Sequence, residues 1–120
     1  MKISLICLVL VSASLISKAQ LANTKWNGTM MVPSETQVTL AFKKDSLYIV
    51  INDEPVESMT YAVKDSLITA KKVDGKSPCN TNAFTLKYTI NGDKLFIKDV
   101  ADTCDPRLNA WTANPFTKQK

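Results

Sequence analysis

The stretch Tyr88–Ile97, YTINGDKLFI, decides the fold class. Apolar and polar residues alternate on both sides of a polar centre, where Asn91-Gly92 supplies the positive φ of a two-residue hairpin turn. The stretches Phe42–Ile49, FKKDSLYI, and Tyr61–Ile68, YAVKDSLI, repeat this pattern around tight polar turns. Antiparallel strands joined in this way build a meander, and a meander of this length normally closes into a small barrel.

Apolar residues recur mostly at period two along the rest of the chain, which indicates strands rather than helices. The segments Pro33–Glu35 and Asp53–Pro55 are expected to interrupt strands. We therefore expect an all-β fold, a small up-and-down antiparallel β-barrel of about eight strands. The predicted strands are Lys25–Val32, Gln37–Lys44, Leu47–Asn52, Ser58–Val63, Leu67–Lys72, Phe84–Ile90, Lys94–Asp99 and Asn109–Phe116.

Residues 1–19 have the features of a signal peptide. Lys2 precedes the apolar run Ile3–Ile16, and Ser17-Lys18-Ala19 fits a small-x-small cleavage site. The run is short for a permanent anchor, since a membrane span needs about 20 apolar residues. We expect cleavage before Gln20, leaving one barrel domain, residues 20–120, that is secreted or periplasmic and has no membrane span.

The charge pattern gives little sign of a nucleic-acid partner. Loss of Lys2 and Lys18 with the signal lowers the formal net charge from +4 to about +2. The remaining lysines are scattered, and the adjacent pairs are Lys43-Lys44 and Lys71-Lys72. We expect these lysines on a solvated barrel exterior, and we expect no nucleic-acid partner. We also expect the protein to be a monomer.

The sequence contains no histidine, which removes the usual general base and the commonest metal ligand. Asp99, Asp102 and Asp105 lie close together around Cys104, but their spacing matches no calcium-loop pattern. Acids in turns between strands usually face solvent or cap a backbone amide. We expect no catalytic residue, no metal and no cofactor, and an enzyme using carboxylates is the weaker alternative.

Two cysteines remain after processing, Cys79 and Cys104. Because exported proteins meet an oxidising environment, we expect these two residues to form a disulfide. A bridge closing a loop of roughly 25 residues stabilises by about 3 kcal/mol in the chain-entropy model.

Strand alternation assigns one face of each strand to the barrel interior. An eight-stranded barrel is just wide enough to be filled by side chains or to hold one small ligand. The residues predicted to point inward are Val38, Leu40, Phe42, Leu47, Ile49, Ile51, Met59, Tyr61, Val63, Phe84, Leu86, Tyr88, Ile90, Leu95 and Ile97. The candidates for lining a ligand are Leu40, Phe42, Ile49, Met59, Tyr61, Leu86 and Tyr88.

Trp26 and Arg107, the one arginine of the chain, stand near opposite ends of the sequence. The first and last strands of a closed barrel are neighbours, so the guanidinium is expected to cover the indole face and seal one barrel end. A ligand-binding arginine is the alternative, because arginine pairs readily with carboxylates.

The order of these parts resembles the lipocalin-like proteins of the calycin group. The resemblance rests on Leu21–Gly28 (LANTKWNG) with Trp26 in the first strand, on Arg107, and on the hairpin Tyr88–Leu95 (YTINGDKL). The segment Asp102–Arg107 (DTCDPR), followed by Leu108 and Trp111, is similar to the close of small bacterial members. The resemblance implies a secreted barrel that transports or sequesters a small apolar molecule.

Two functional hypotheses follow. The first is a non-enzymatic protein that binds a small hydrophobic ligand in the barrel, and an open apolar cavity would favour it. The second is a protein-interaction module, for instance a barrel resembling protease inhibitors. A filled interior with an ordered, exposed segment at 20–23 or 74–82 would favour that second hypothesis.

Overall fold

The computed structural model describes residues 20–31, 34–75, 83–101 and 114–120, with the backbone alone for Asp99. Within these residues every regular element is a strand. The strands are β1 (Thr24–Met31), β2 (Glu35–Phe42), β3 (Ser46–Ile51), β4 (Glu54–Lys64), β5 (Leu67–Gly75), β6 (Phe84–Asn91), β7 (Lys94–Ala101) and β8 (Phe116–Lys118).

The strands form one closed antiparallel barrel in chain order from β1 to β8. The short β8 completes the circle, because Lys118 pairs with Trp26 of β1 and Phe116 pairs with Leu95 of β7. The predicted all-β, up-and-down barrel of about eight strands is therefore confirmed.

We call the end of the barrel that carries the N-terminal turn the N-terminal end, and the opposite end the distal end. The N-terminal end carries the turn at residues 20–23 and the connections that follow β2, β4 and β6. At the distal end β1, β3, β5 and β7 finish and the other four strands begin. Tight hairpin geometry explains two of the connections at the N-terminal end: Asp65 and Ser66 both have positive φ, and Gly92 has φ of 64°.

Most strand boundaries differ by one to three residues from the sequence-based prediction, and three differences have a physical reason. The third hairpin pairs Asn91 with Lys94, so its two loop residues are Gly92 and Asp93, one position later than predicted. β4 begins at Glu54 and includes Pro55, which sits beside the register shift between Ile49 and Val50. A bulge is one of the few sheet positions that tolerate proline.

The last strand was predicted at Asn109–Phe116 and is found at Phe116–Lys118. Asn114 and Pro115 precede the strand, and residues 109–113 lie outside the described part of the chain. Proline has no N–H to donate to a strand ladder, so regular pairing starts after Pro115.

All the residues predicted to point inward are buried or pack against the buried core. Ile51, Val63 and Ile90 are the partly buried members of that set. Trp26, Phe42, Phe84 and Phe116 are the largest of the fully buried side chains. The core adds Leu21, Trp26, Met30, Ile68, Ala70 and Phe116 to the predicted inward set.

Candidate functional site

The seven candidate ligand-lining residues lie on β2, β3, β4 and β6 and all belong to the buried core. Ile49 and Tyr61 are 8% and 9% exposed, whereas the other five are 3% exposed or less. A side chain that borders an open cavity keeps accessible surface toward it. The middle of the barrel is therefore packed by side chains around these five residues, and their role as ligand contacts stays a prediction.

Tyr61 connects this core to the N-terminal end. Its ring meets that of Phe42 edge-on, with centroids 5.3 Å apart and planes at 75°. Its hydroxyl donates a hydrogen bond to the carbonyl oxygen of Lys43. Burial, and secondarily the charge of Asp45, raises the pKa of the Tyr61 phenol above its ordinary value of 10.0. The phenol therefore acts as a neutral hydrogen-bond donor at ordinary pH.

A small pocket of about 90 Å³ adjoins Tyr61 at the N-terminal end. Its lining residues are Ala22, Lys44, Asp45, Tyr61, Ala62 and Val63. Pockets that bury a drug-sized ligand measure roughly 300–1,000 Å³. This pocket is therefore too small to enclose such a ligand.

The N-terminal turn closes the same end of the barrel. Leu21 is fully buried, and the carbonyl oxygen of Leu21 accepts a hydrogen bond from the Thr24 hydroxyl. The Trp26 indole nitrogen donates to the Thr24 hydroxyl over 2.8 Å. Because these contacts seat an apolar side chain and an indole in the core, the N-terminal end offers little room for a ligand.

The distal end differs because a charged pair enters the interior there. On β5, Ile68, Ala70 and Lys72 are buried while Leu67, Thr69 and Lys71 are exposed. Lys72 is 9% exposed, and its Nζ lies 3.9 Å from Oε1 of Glu57, whose side chain is 12% exposed. A buried lysine or glutamate is uncommon in proteins unless it is paired.

Strand pairing explains how the two charges meet. Met59 of β4 pairs with Lys72 of β5. The register of this pairing shifts between Ser58 and Met59. Glu57 pairs with Ile49 of β3 and with Gly75 of β5. Gly75 is needed there because a Cβ at this position would lie 2.7 Å from Cγ of Glu57. The glycine therefore leaves space for the carboxylate beside the end of β5.

Sequence reasoning missed this pair. All lysines were expected on the solvated exterior, and for Lys72 that expectation is wrong. The signal was present in the alternation of β5, which assigns Ile68, Ala70 and Lys72 to one face. Glu57 could not be assigned in this way, because its strand was predicted to begin at Ser58.

Other predicted site residues lie outside the described part of the chain. Cys79, Cys104 and Arg107 are among them, so the disulfide and the arginine contact with Trp26 stay predictions. Trp26 itself is 1% exposed. Among the described residues, no group of three or more His, Cys, Asp or Glu side chains lies close enough to hold a metal ion.

No protein-family model matches the sequence, and neither curated proteins nor solved structures match it. The resemblance to lipocalin-like proteins therefore stays a prediction that rests on the quoted residues. In the described ranges, none of the elements is a helix of the length and apolarity needed to cross a membrane.

Proposed function

We propose that this protein is an exported, non-enzymatic binding protein that holds a small, mainly apolar ligand at the distal end of its barrel. The observation that carries the proposal is the inward-facing pair of Lys72 and Glu57 in an otherwise apolar interior. In this proposal the apolar part of the ligand contacts the partly exposed core side chains toward the distal end, and its polar group meets the charged pair.

The energetics of buried charge support a functional role for the pair. Moving two charges out of water carries a desolvation penalty that their attraction often fails to exceed. Apolar side chains of similar volume would stabilise a small barrel at least as well. The pair is therefore a poor choice for stability alone, and a ligand with a polar group gives it a purpose.

The packing supports the distal end over the barrel centre. Leu40, Phe42 and Leu86 have almost no accessible surface. Toward the distal end, Ile51 and Val56 pack on the core while keeping part of their surface accessible. An apolar ligand can contact these side chains without displacing the aromatic core.

The chemistry of the pair suggests the polar group of the ligand. The Lys72 ammonium is a compact cation that donates hydrogen bonds, and charge-assisted bonds to a carboxylate are stronger than neutral ones. An amphiphile with a single acidic group, such as a medium-chain carboxylate, fits this arrangement better than a neutral hydrocarbon.

A displacement titration tests the proposal. The neutral apolar dye N-phenyl-1-naphthylamine should brighten with saturable stoichiometry on the wild type, and decanoate should displace it more effectively than decanol. Lys72→Met should weaken displacement by decanoate about tenfold, which corresponds to about 1.4 kcal/mol of lost charge-assisted bonding. The effect on decanol should be small.

Lys71→Met is the matched control, because Lys71 is the neighbouring residue on β5 and faces outward. It removes the same charge and should leave both displacement curves unchanged. Absence of saturable dye binding to the wild type would refute the ligand-binding proposal.

A second candidate function is docking of another protein. The tight packing of the barrel centre favours it, and so do the apolar side chains exposed at the distal ends of three strands. Met31, Val73 and Val100 are 45%, 62% and 53% exposed. If apolar probes fail to bind saturably, this candidate becomes the better account.

A further inference from the structure

One row of outward-facing residues crosses four neighbouring strands. Lys64 of β4 pairs with Leu67 of β5, Leu67 pairs with Lys87 of β6, and Lys87 pairs with Lys98 of β7. All four side chains are exposed. Because residues in direct register share one face of a sheet, three lysines and one leucine form a continuous row.

Two more residues extend this row into a face. Phe96 is 45% exposed and lies two positions before Lys98 on β7. Lys71 is exposed and lies four positions after Leu67 on β5. We call Lys64, Leu67, Lys71, Lys87, Phe96 and Lys98 the lysine face.

The lysine face contains an arrangement that folding does not favour. Like charges directly opposite each other on paired strands destabilise a sheet, and Lys87 and Lys98 are paired in this way. Among the described side chains, the carboxylates near the face are Asp65 and Asp93 in flanking turns and Asp74 near the end of β5, and none of them stands in register with Lys87 or Lys98. The repulsion between the paired lysines would be relieved by an anionic partner.

Carboxylates occur elsewhere on the barrel surface. Glu35 begins β2, while Asp53 and Glu54 lie at the junction of β3 and β4, and all three are exposed. The lysine face is therefore separated from these three carboxylates, while further exposed lysines lie outside it at Lys25, Lys43, Lys44, Lys94 and Lys118. Such a separation orients a molecule at a charged surface.

We propose that the lysine face docks the protein on the surface of an anionic lipid bilayer. Lysines in contact with such a surface gain electrostatic attraction to the headgroups, while neighbouring apolar side chains enter the interface. Phe96 and Leu67 lie among the lysines and supply that apolar contact. The inference is independent of ligand binding, since none of these residues faces the barrel interior.

A bilayer fits this face better than a nucleic acid or an acidic protein. Recognition of nucleic acids relies heavily on arginine, whose planar fork bonds phosphates and bases in pairs. The described residues contain no arginine, since the single arginine of the sequence, Arg107, lies outside them. Exposed aliphatic and aromatic side chains between lysines match a surface that is charged outside and apolar just beneath.

Vesicle cosedimentation tests the proposal. The wild-type protein should bind vesicles of 30% phosphatidylglycerol in phosphatidylcholine, release them in 0.5 M salt, and ignore vesicles of pure phosphatidylcholine. Lys87→Glu combined with Lys98→Glu should weaken binding at least tenfold, since each lysine near such a surface contributes roughly fivefold. Phe96→Ser should weaken binding severalfold by removing the apolar contact.

Lys43→Glu combined with Lys44→Glu is the matched control. These lysines are exposed in the turn between β2 and β3, and the change in net charge is identical. The control should bind within twofold of the wild type. Lys98→Glu alone replaces a like-charge pair by an opposite-charge pair, so it should remain folded and still lose vesicle binding.

Three results would overturn the proposal. The first is an equal loss of vesicle binding in the control and in the variant carrying Lys87→Glu and Lys98→Glu, which would show that only net charge matters. The second is equal binding to neutral and anionic vesicles. The third is tighter binding to duplex DNA or polyglutamate than to anionic vesicles, which would assign the lysine face to a polyanion or an acidic protein.

Discussion

Lys72 is a charged residue on the inner face of the barrel. Its neighbours Ile68 and Ala70 on the inner face of β5 are apolar, as a barrel core requires. Lys72 instead brings an ammonium group inside and lies beside the Glu57 carboxylate. Removal of one partner from a buried pair leaves the other charge poorly solvated, whereas removal of both can be nearly neutral.

We predict that Lys72→Met lowers the free energy of unfolding by about 3 kcal/mol, the lower end of the range for breaking a buried pair. Adding Glu57→Gln to Lys72→Met should restore stability to within about 1 kcal/mol of the wild type. Urea unfolding followed by circular dichroism measures both. Lys71→Met, on the outer face, serves as the control, and a loss there equal to that of Lys72→Met would contradict the inward position.

Tyr61 gives a prediction about alkaline pH. Burial raises the pKa of its phenol in the folded state, so above pH 10 the folded protein retains a proton that the unfolded chain has lost. The free energy of unfolding is therefore unaffected by this group below pH 10 and falls as pH rises further. Burial raises the pKa of Tyr88 in the same direction.

Tyr61→Phe should make stability less sensitive to alkaline pH. The comparison is the change in urea midpoint between pH 8 and pH 11, since the lost hydrogen bond to Lys43 lowers stability at both values. The wild type should lose more stability over this interval than the variant. Equal losses in the two proteins would show that the Tyr61 phenol ionises alike in the folded and unfolded states.

Among the elements, β8 has the largest role for its length. Its three residues connect β7 to β1 and close the barrel. The Phe116 ring lies over Gly28 of β1, where a Cβ would approach Cδ2 of the ring to 2.3 Å. The closure therefore depends on a glycine opposite an aromatic side chain.

We predict that Gly28→Ala lowers the free energy of unfolding by about 1–3 kcal/mol through overpacking against Phe116. In a Phe116→Leu background the same change should cost less, because the contacting ring is gone. Thermal unfolding of the four proteins measures the coupling. Gly92→Asn is the control: no atom lies within 4 Å of the added Cβ, and asparagine tolerates a φ of 64°. Additive effects of the two changes would contradict the contact.

Some features of the strands could be predicted from the sequence and others could not. The hairpins around residues 45, 65 and 92 were predictable because alternation and turn residues are local signals. The inclusion of Pro55 in β4 was not, since a bulge depends on pairing with β3. The pairing of Lys87 with Lys98 could not be predicted either, because strand register determines which lysines become neighbours.

At the scale of the whole molecule, the two barrel ends and the outer face have different characters. The N-terminal end is sealed by Leu21 and Trp26, and the distal end receives the charged pair of Lys72 and Glu57. The lysine face lies on the outside of β4 to β7. The proposed ligand site is therefore at the distal end, and the proposed bilayer contact is on the outer face of the sheet.

The most direct test of the distal site is a two-dimensional amide NMR titration with decanoate. We expect saturable shifts concentrated at the amides of Ile49, Glu57 and Lys72, with little change at Leu21 and Trp26. The same titration of Lys72→Met should require about tenfold more decanoate. Shifts concentrated at the N-terminal end, or no saturable shift at any amide, would contradict a ligand site at the distal end.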